Sequence, residues 1–525
     1  MPTYPLSFLK GLTIAADWMT TPPGFLWVMD DWLIEYGRLR PRDGSTILNS
    51  AALTGLSSLT SIIFYRDKNS AGGGVFLVQG PQKIYRSAQY TSDTQFLTNL
   101  GVAFTDVTGT ASIGTATVSM MDILNNIVIL TSSSGAINQI TSDSTNAAPL
   151  AGSPPSATFV KVVNNFAFLA GVLNYGTNSS RIWWSAVGDP QTWPATSFLD
   201  WRTNDGDYIT ALSSIGQDLI VFKNSHIGRL STTTLTISGA VTLGPMTTLF
   251  NGMGCAGYQA VDNLPDGRIV FLGIDYNLWV TDGVSLQMLS KGPYGTANVY
   301  NTGGSGPQPQ NRGLYFYSAN NSAFTNSPIV IVDPIRNEVW VTPYNGSTIF
   351  VYDYLQDYWR RITGYHLTCA ARLPPSRGGA FSSSASTLGW RLFGGASSAN
   401  VIAVSNEASG FGPGRPTDQT GATVTAKAIF SIADPDILAN NRFRAVNIPA
   451  NNLGLASTVV QFGFDGTITG PTTTLNSHVM RNSIPIPYRT EFLSQTRYSS
   501  LQIQLTDTIP GDLIYTPYLS DEAMS

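Results

Sequence analysis

The stretch Ser180–Ser231, SRIWWSAVGDPQTWPATSFLDWRTNDGDYITALSSIGQDLIVFKNSHIGRLS, decides how the chain is read. Its first half is an aromatic strand over Arg181–Ser185, closed by a turn on Gly188, Asp189 and Pro190 and anchored by Trp193. Its second half is a strand pair, Asp218–Phe222 and Ile227–Ser231, joined by the polar loop Lys223–His226. Aromatic and β-branched runs bounded by Gly, Asp, Pro and Ser are strand and turn signals. A packing strand, a Gly/Asp/Pro turn and a hairpin make one sheet's worth of chain. The unit is expected to repeat, with variations, around a ring.

Outward from this stretch, hairpins recur. Val75–Val78 pairs with Lys83–Arg86, Ile127–Thr131 with Ala136–Thr141, and Phe166–Gly171 with Arg181–Ser185. Further on, Arg268–Gly273 meets Asn277–Thr281, and Ile329–Asp333 meets Glu338–Thr342. Gly313–Tyr317, Ile349–Tyr352, Trp359–Ile362, Trp390–Gly394 and Asn400–Val404 complete the series. The centres Phe76, Val128, Phe168, Ile220, Val270 and Phe316 are spaced by 52, 40, 52, 50 and 46 residues. A β repeat of roughly 40–50 residues is the spacing of propeller blades. Blades packed face to face bury both sides and leave only short edges. The fold class is all-β, a β-propeller of six or seven blades with an additional C-terminal antiparallel β-domain. No Trp-Asp-like blade ending recurs, so the ring is read from period alone.

The expected division is an N-terminal arm and packing segment at 1–50, a propeller at 51–408, a linker at 409–423 and a sandwich-like β-domain at 424–525. The first segment crowds Trp18, Trp27, Trp32 and Tyr36 around Pro22-Pro23 and leads into GRLRPRDGSTIL. It suits either an arm along the outside of something larger or an outer strand of the first sheet. In the last segment, FGFDGTITG is a hairpin signal, with Asp465-Gly466 supplying positive φ angles.

Composition agrees. Charged residues are 12% of the chain, against about 25% in soluble domains at large. With 50 Gly, 30 Pro, 24 Phe, 22 Tyr and 11 Trp, short strands and tight turns are expected. Net charge is −4 and no basic run occurs, so electrostatic grip on nucleic acid by counterion release is not supported. Cys255 and Cys369 lie far apart and read as buried thiols. MPTYPLSFLKGLTIAAD lacks a basic region ahead of an apolar core, so no signal peptide is expected. The apolar run Gly24–Tyr36 is broken by Asp30 and Asp31, well short of the roughly 20 residues of a spanning helix. A soluble chain made in a cytoplasm follows.

Chemistry is sparse. His226, His366 and His478 have no ligand-spaced neighbours, and no GxSxG, phosphate-loop or dinucleotide motif occurs. Asn204-Asp205-Gly206-Asp207 resembles half a calcium loop but lacks the later bidentate acid, so it reads as a turn. SAVGDPQTW at Ser185–Trp193 is similar to a sialidase Asp box, but Gly188 precedes Asp189 and the element occurs once. Trp183, Trp184, Trp193 and Trp201 are candidate stacking platforms for a carbohydrate. No catalytic, cofactor or metal residues are assigned, and the chain is not expected to be an enzyme.

One resemblance covers most of the chain. WWSAVGDPQTWPA, then NDGD, then ITALSSIGQDLIVFKNSHIGRL resembles the tail nozzle proteins of short-tailed (podovirus-type) bacteriophages. These are also termed tail hub, tail tubular protein B or packaged-DNA stabilisation proteins. GRLRPRDGST, IVFLGIDYNLWVTDG, RFRAVNI, FGFDGTITGP and RYSSLQIQL are similar to the family in the same order. The loop Asn301–Arg312 and the Gly/Pro-rich 409–416 depart from it. The resemblance implies a structural virion protein, a hexameric ring below portal and adaptor that extends the DNA channel. It implies contact with the adaptor, with tail fibres or spikes and with a distal needle or plug. Double-stranded DNA would pass without sequence-specific binding, helped by a like-charged wall. Asn301, Gln308, Gln310, Asn311 and Arg312 are the candidate channel loop. The rival readings are a carbohydrate-binding or sialidase-like propeller and a generic propeller scaffold for protein partners.

Overall fold

The computed structural model describes residues 44–65, 74–89, 102–296, 328–372 and 392–404, with breaks at 116–117, 142–145, 172–177, 204, 234, 238–239, 276, 293–294, 335, 343–347, 365–366 and 397–398. It also describes 3–5, 10–11, 25–26, 28–35, 37–42, 426–432, 445–451, 458–464, 468, 472–474, 481–485, 501–507, 513–514 and 518–520.

Among the described residues, seven four-stranded antiparallel units form a β-propeller. Blade 1 is Ser61–Tyr65, Val75–Gly80, Lys83–Ser87 and Phe104–Asp106. Blade 2 is Ser119–Leu124, Ile127–Ser132, Asn138–Thr141 and Ala148–Pro149, and blade 3 is Phe159–Val163, Phe166–Ala170, Arg181–Trp184 and Phe198–Asp200. Blade 4 is Ile209–Ile215, Asp218–Lys223, His226–Leu230 and Met246–Asn251, and it carries a small hairpin, Leu235–Ile237 with Ala240–Thr242. Blade 5 is Val261–Asn263, Ile269–Leu272, Leu278–Thr281 and Leu286–Met288. Blade 6 is Ile329–Asp333, Glu338–Thr342, Thr348–Asp353 and Tyr358–Thr363. These six are each built from one run of chain. Blade 7 is composite: Cys369–Arg372, Leu392–Gly395 and Val401–Ala403 are completed by Thr46–Ile47 from near the start of the chain.

Period-two alternation explains why the blades stack. A strand buried on both faces sends successive side chains to opposite sides. In the second strand of blade 1, Val75 and Leu77 pack toward blade 2, while Phe76 and Val78 pack toward blade 7. In blade 3, Ala167 and Leu169 face blade 2, and Phe166, Phe168 and Ala170 face blade 4. Such an apolar seam lies between every pair of neighbours, and the last, with Phe76 and Phe393 at 4.8 Å, closes the ring. The turns between first and second strands help. Asn125-Asn126 and Asn164-Asn165 all have φ between 47° and 67°, as a two-residue hairpin with native twist requires.

The opening stretch is redistributed. Arg181–Trp184 is the third strand of blade 3, whereas Asp218–Lys223 and His226–Leu230 belong to blade 4. Ser180–Ser231 is therefore a boundary between two sheets, not one sheet. The reason is the intervening Ile209–Ile215, which pairs with Asp218–Lys223 and takes the innermost place.

The described strands among the first fifty residues pair with other parts of the chain. Thr46–Ile47 closes blade 7, and Asn49 clasps the seam. Its side chain donates to the Asn400 side chain at 3.0 Å and accepts the Val401 NH at 2.9 Å. Val28–Asp30 pairs in parallel with the outer strand of blade 6, at Asp30 and Arg361, and antiparallel with Ala426–Ile432. Blade 6 thereby continues through Leu501–Asp507 and Val459–Phe464 to Thr472–Thr474, a single nine-stranded sheet. Trp32–Glu35 and Arg38–Pro41 enter a second, seven-stranded sheet with Ala445–Asn451 and Tyr518–Ser520. The C-terminal β-domain is thus built from both ends of the chain. At the junction Asp30 forms a two-pronged ion pair with Arg361 at 2.6 and 3.0 Å. Buried Asp31 accepts from Arg42 Nε at 2.5 Å and from the Thr363 NH at 3.0 Å. No helix among the described residues is long and apolar enough to cross a membrane.

Candidate functional site

The channel-loop residues Asn301, Gln308, Gln310, Asn311 and Arg312, the linker at 409–423, and His366 and His478 lie outside the described residues. The sites that can be built are a polar cluster between blades 3 and 4 and a chamber on the ring axis.

Antiparallel order puts crossovers between blades and the turns between second and third strands on one face of the ring. The polar cluster sits there, where the crossover 201–208 meets the turn Lys223–His226. Asp205, Asp207 and His226 bring ligand-type atoms within 4.8 Å of one another. Each group is engaged, however. The Lys223 side chain is wholly buried, and its ammonium donates to both Asp205 oxygens at 3.1 Å and to the Arg202 carbonyl at 2.9 Å. Asp207 accepts from the Asn224 NH at 3.0 Å, the Ser225 NH at 2.9 Å and the Ser225 hydroxyl at 2.7 Å, with His226 Nδ1 at 3.2 Å. Burial alone would raise the Asp207 carboxyl, but the bonds from Ser225, His226 and the Tyr208 NH outweigh it and hold the pKa below its ordinary value. A cation here would have to displace Lys223. The cluster acts as a staple that fixes the crossover to blade 4. The sequence marked its acids as a turn but gave no sign that Lys223 is buried with them.

The tryptophans do not form one platform. Neighbours on a strand, Trp183 and Trp184 pack into the seams on opposite sides of blade 3. Trp201 is buried, and the Trp193 ring NH donates to the Pro190 carbonyl at 2.8 Å. The Asp-box-like turn closes on itself: Gly188 has φ 69°, and Asp189 accepts from the Gln191 NH and the Thr192 hydroxyl at 2.9 and 2.7 Å.

First strands of the blades line an axial chamber of about 320 Å³. At the crossover face Tyr258 and Gln259 project over its mouth from the approach to blade 5. Tyr258 stacks on Phe159 of blade 3 at 5.8 Å. The Gln259 side-chain amide donates to the Thr60 carbonyl before blade 1 at 2.9 Å, and the Gln259 backbone carbonyl accepts from the Val330 NH of blade 6 at 2.8 Å. A repeated device ties the walls together. Asp122 of blade 2 bonds the Ile123 NH with one oxygen and the Val162 NH of blade 3 with the other, at 2.8 and 2.7 Å. Asp262 of blade 5 does the same with the Asn263 NH and the Val332 NH of blade 6, at 2.8 and 2.9 Å. Arg372 of blade 7 passes blade 6 to reach Asp262 at 2.8 Å. Lys161 of blade 3, Met120 and Met121 of blade 2 and Ile331 of blade 6 also line the chamber. The chamber is far too small for a duplex whose major groove alone is about 12 Å wide. Cys255 and Cys369 are buried free thiols, pushed up to about 12 by burial.

No family model matches the chain, and no curated protein does. Solved structures of similar fold include YCF48 from Cyanidioschyzon merolae, at 11% identity and TM-score 0.41, covering 68% of this chain and 100% of that one. The Cps50 (Swd1) β-propeller domain of Myceliophthora thermophila is similar at 9% identity and TM-score 0.39, covering 69% and 100%. The WD40 domain of Toxoplasma gondii coronin is similar at 10% identity and TM-score 0.34, covering 72% and 88%. What the chain's own pairing establishes is the fold: an all-β propeller with an additional β-domain.

Proposed function

We propose that the chain is a structural virion protein, the nozzle or hub ring of a short phage tail. The observation that carries this reading is the sheet shared between ring and second domain. Blade 6 runs without interruption into strands from the C-terminal part of the chain, and Asp30–Arg361 and Asp31–Arg42 ion pairs lock the join. A building block that must hold position under load benefits from such continuity, because a shared sheet leaves no hinge between its parts. The polar cluster supports the same reading, since its titratable groups are spent on fixing a crossover. With the propeller's own axis closed to a duplex, DNA would pass along the axis of an assembly of copies. A hexameric ring would contact adaptor, fibres or spikes, and a distal plug through the outer faces of the blades and the second domain.

Electron microscopy of the purified chain, together with immunogold labelling of phage particles, tests the proposal. Rings of about six copies and label at the tail are expected. A chain that stays monomeric at all concentrations and never labels a particle would falsify it.

A further inference from the structure

We propose that copies of the chain join edge to edge. The outer strand of blade 4 in one copy, Met246–Asn251, pairs with Thr472–Thr474, the last strand of the nine-stranded sheet, in the next. This names the surface that holds a second copy and does not rest on the virion reading.

Strand length singles out this edge. An outer strand leaves a row of backbone NH and CO groups unpaired, and folded chains protect such a row by keeping it short, charged, broken by proline or covered. The outer strands of blades 1, 2, 3, 5 and 7 are two or three residues long. The six-residue outer strand of blade 6 is covered by Val28–Asp30. Blade 4 has the other six-residue outer strand, and among the described residues no strand pairs with its far side. Its sequence MTTLFN has neither charge nor proline, and Thr247, Thr248 and Asn251 are exposed. A register shift between Ile227 and Gly228 bulges it at Leu249 and leaves Met246–Thr248 as the regular run. The neighbouring Arg229 is held by Asp218 at 2.7 Å.

The backbone of such an edge selects its occupant, because a row of NH and CO groups is matched by another extended strand. The chain carries one of fitting length and chemistry. Thr472–Thr474 pairs with Val459–Gln461 on one side, and all three of its residues are exposed. It equals the run Met246–Thr248 in length, and facing Thr–Thr pairs stabilise a sheet. Neither edge carries a charge, so no like charges meet across the contact. Other end strands of the second domain fit less well. Thr3–Pro5 and Arg481–Pro485 contain proline, and Arg481 and Glu35 bring charge. Two different edges make a heterologous contact, which repeats from copy to copy and closes into a ring where the rotation allows.

Sedimentation velocity of the full chain over a concentration series tests this with charged edges. One variant combines Thr247→Lys and Thr248→Lys with Thr472→Lys and Thr473→Lys. The second keeps the first two changes and carries Thr472→Glu and Thr473→Glu. Two successive residues on each edge put charge on both faces of the joined sheet, whatever its register. All four positions are exposed, so thermal melts of both variants should match wild type. Wild type is expected to assemble, the all-lysine chain to associate about tenfold or more weakly, and the Lys/Glu chain to regain most of the loss. A wild type that stays monomeric overturns the proposal. So does association unchanged in the all-lysine chain, or lost equally in both variants. Rings that survive the all-lysine change and still label the phage tail would sink this contact and leave the virion reading standing. Charge-swapped assemblies from a chain that never labels a particle would do the reverse.

Discussion

Blade 4 and blade 7 are the same four-stranded object reached by different routes. Blade 4 is one run of chain, and its polar cluster joins groups within about twenty residues of one another, as Lys223 does with Asp205. Blade 7 is complete only when Thr46–Ile47 pairs with Val401–Ala403, across 351 residues in the Asn49–Asn400 bond. The difference separates two jobs. Local staples set the shape of one crossover, whereas long-range clasps decide whether the ring and its second domain exist as one body. If so, substitutions at the clasps should cost more and act on the whole molecule.

The largest effect is expected at the join between blade 6 and the second domain. Asp31→Ala takes the Asp31 counter-charge from the buried Arg42 guanidinium, and breaking one side of a buried ion pair costs about 3–5 kcal/mol. Denaturant melts followed by tryptophan fluorescence would measure it, and a loss under about 1 kcal/mol would break the comparison. Next comes Asn49→Ala, which leaves the Val401 NH and the Asn400 side chain without this partner. At about 1–3 kcal/mol for a buried group left unsatisfied, the ring should lose roughly 2–4 kcal/mol. Amide exchange should show faster opening in blades 1 and 7 together, and protection unchanged there would count against a clasp.

Asp207→Asn should cost less, about 1–2 kcal/mol, with the change confined to the Lys223–His226 turn. Its pH signature is directional. The folded carboxyl titrates below the unfolded value near 3.9, so its contribution is present above that pH and is lost as pH falls through the folded pKa. The variant should therefore lose stability less steeply than wild type below about pH 4. An identical acid limb in both proteins would remove Asp207 from the account. The smallest effects belong to the exposed tips of outer turns. Val284 and Leu355 are 83% and 72% exposed, and changing either to Ser should shift stability by less than about 0.5 kcal/mol.

Legibility followed burial. Phe76, Val128, Phe168, Ile220 and Val270 all fall on second strands of successive blades, because those strands are buried on both faces and read as apolar runs. Phe316, proposed as the next centre, lies outside the described residues, and the corresponding strand of blade 6 is Glu338–Thr342. First strands such as SMMDIL at Ser119–Leu124 were harder to see, since they face a chamber and carry polar side chains. Outer strands such as Phe104–Asp106 are short and largely exposed, so nothing apolar marks them. The pairing of Val28–Asp30 with Ala426–Ile432 has no local signature at all, because partners that far apart leave no periodicity. The Asn-Asn turns at 125–126 and 164–165 were readable as tight hairpins and would have fixed the phase of two blades. At the site, the buried ammonium of Lys223 and the orientation of Lys161 depend on neighbours from other blades, which spacing along the chain does not encode.

The late partner of Thr46–Ile47 also sets a clock. A ribosome adding about 5–20 residues per second needs roughly 20–70 s to make the 351 residues separating Asn49 from Asn400. Throughout that interval five or six blades can form while the ring stays open, with Phe76 waiting for Phe393 and an apolar blade face turned to water. A two-residue closing strand offers little edge for a wrong partner to pair with. Slow codons or a holding chaperone would therefore matter most just before residue 401 emerges, when the nascent ring is nearly whole and not yet shut.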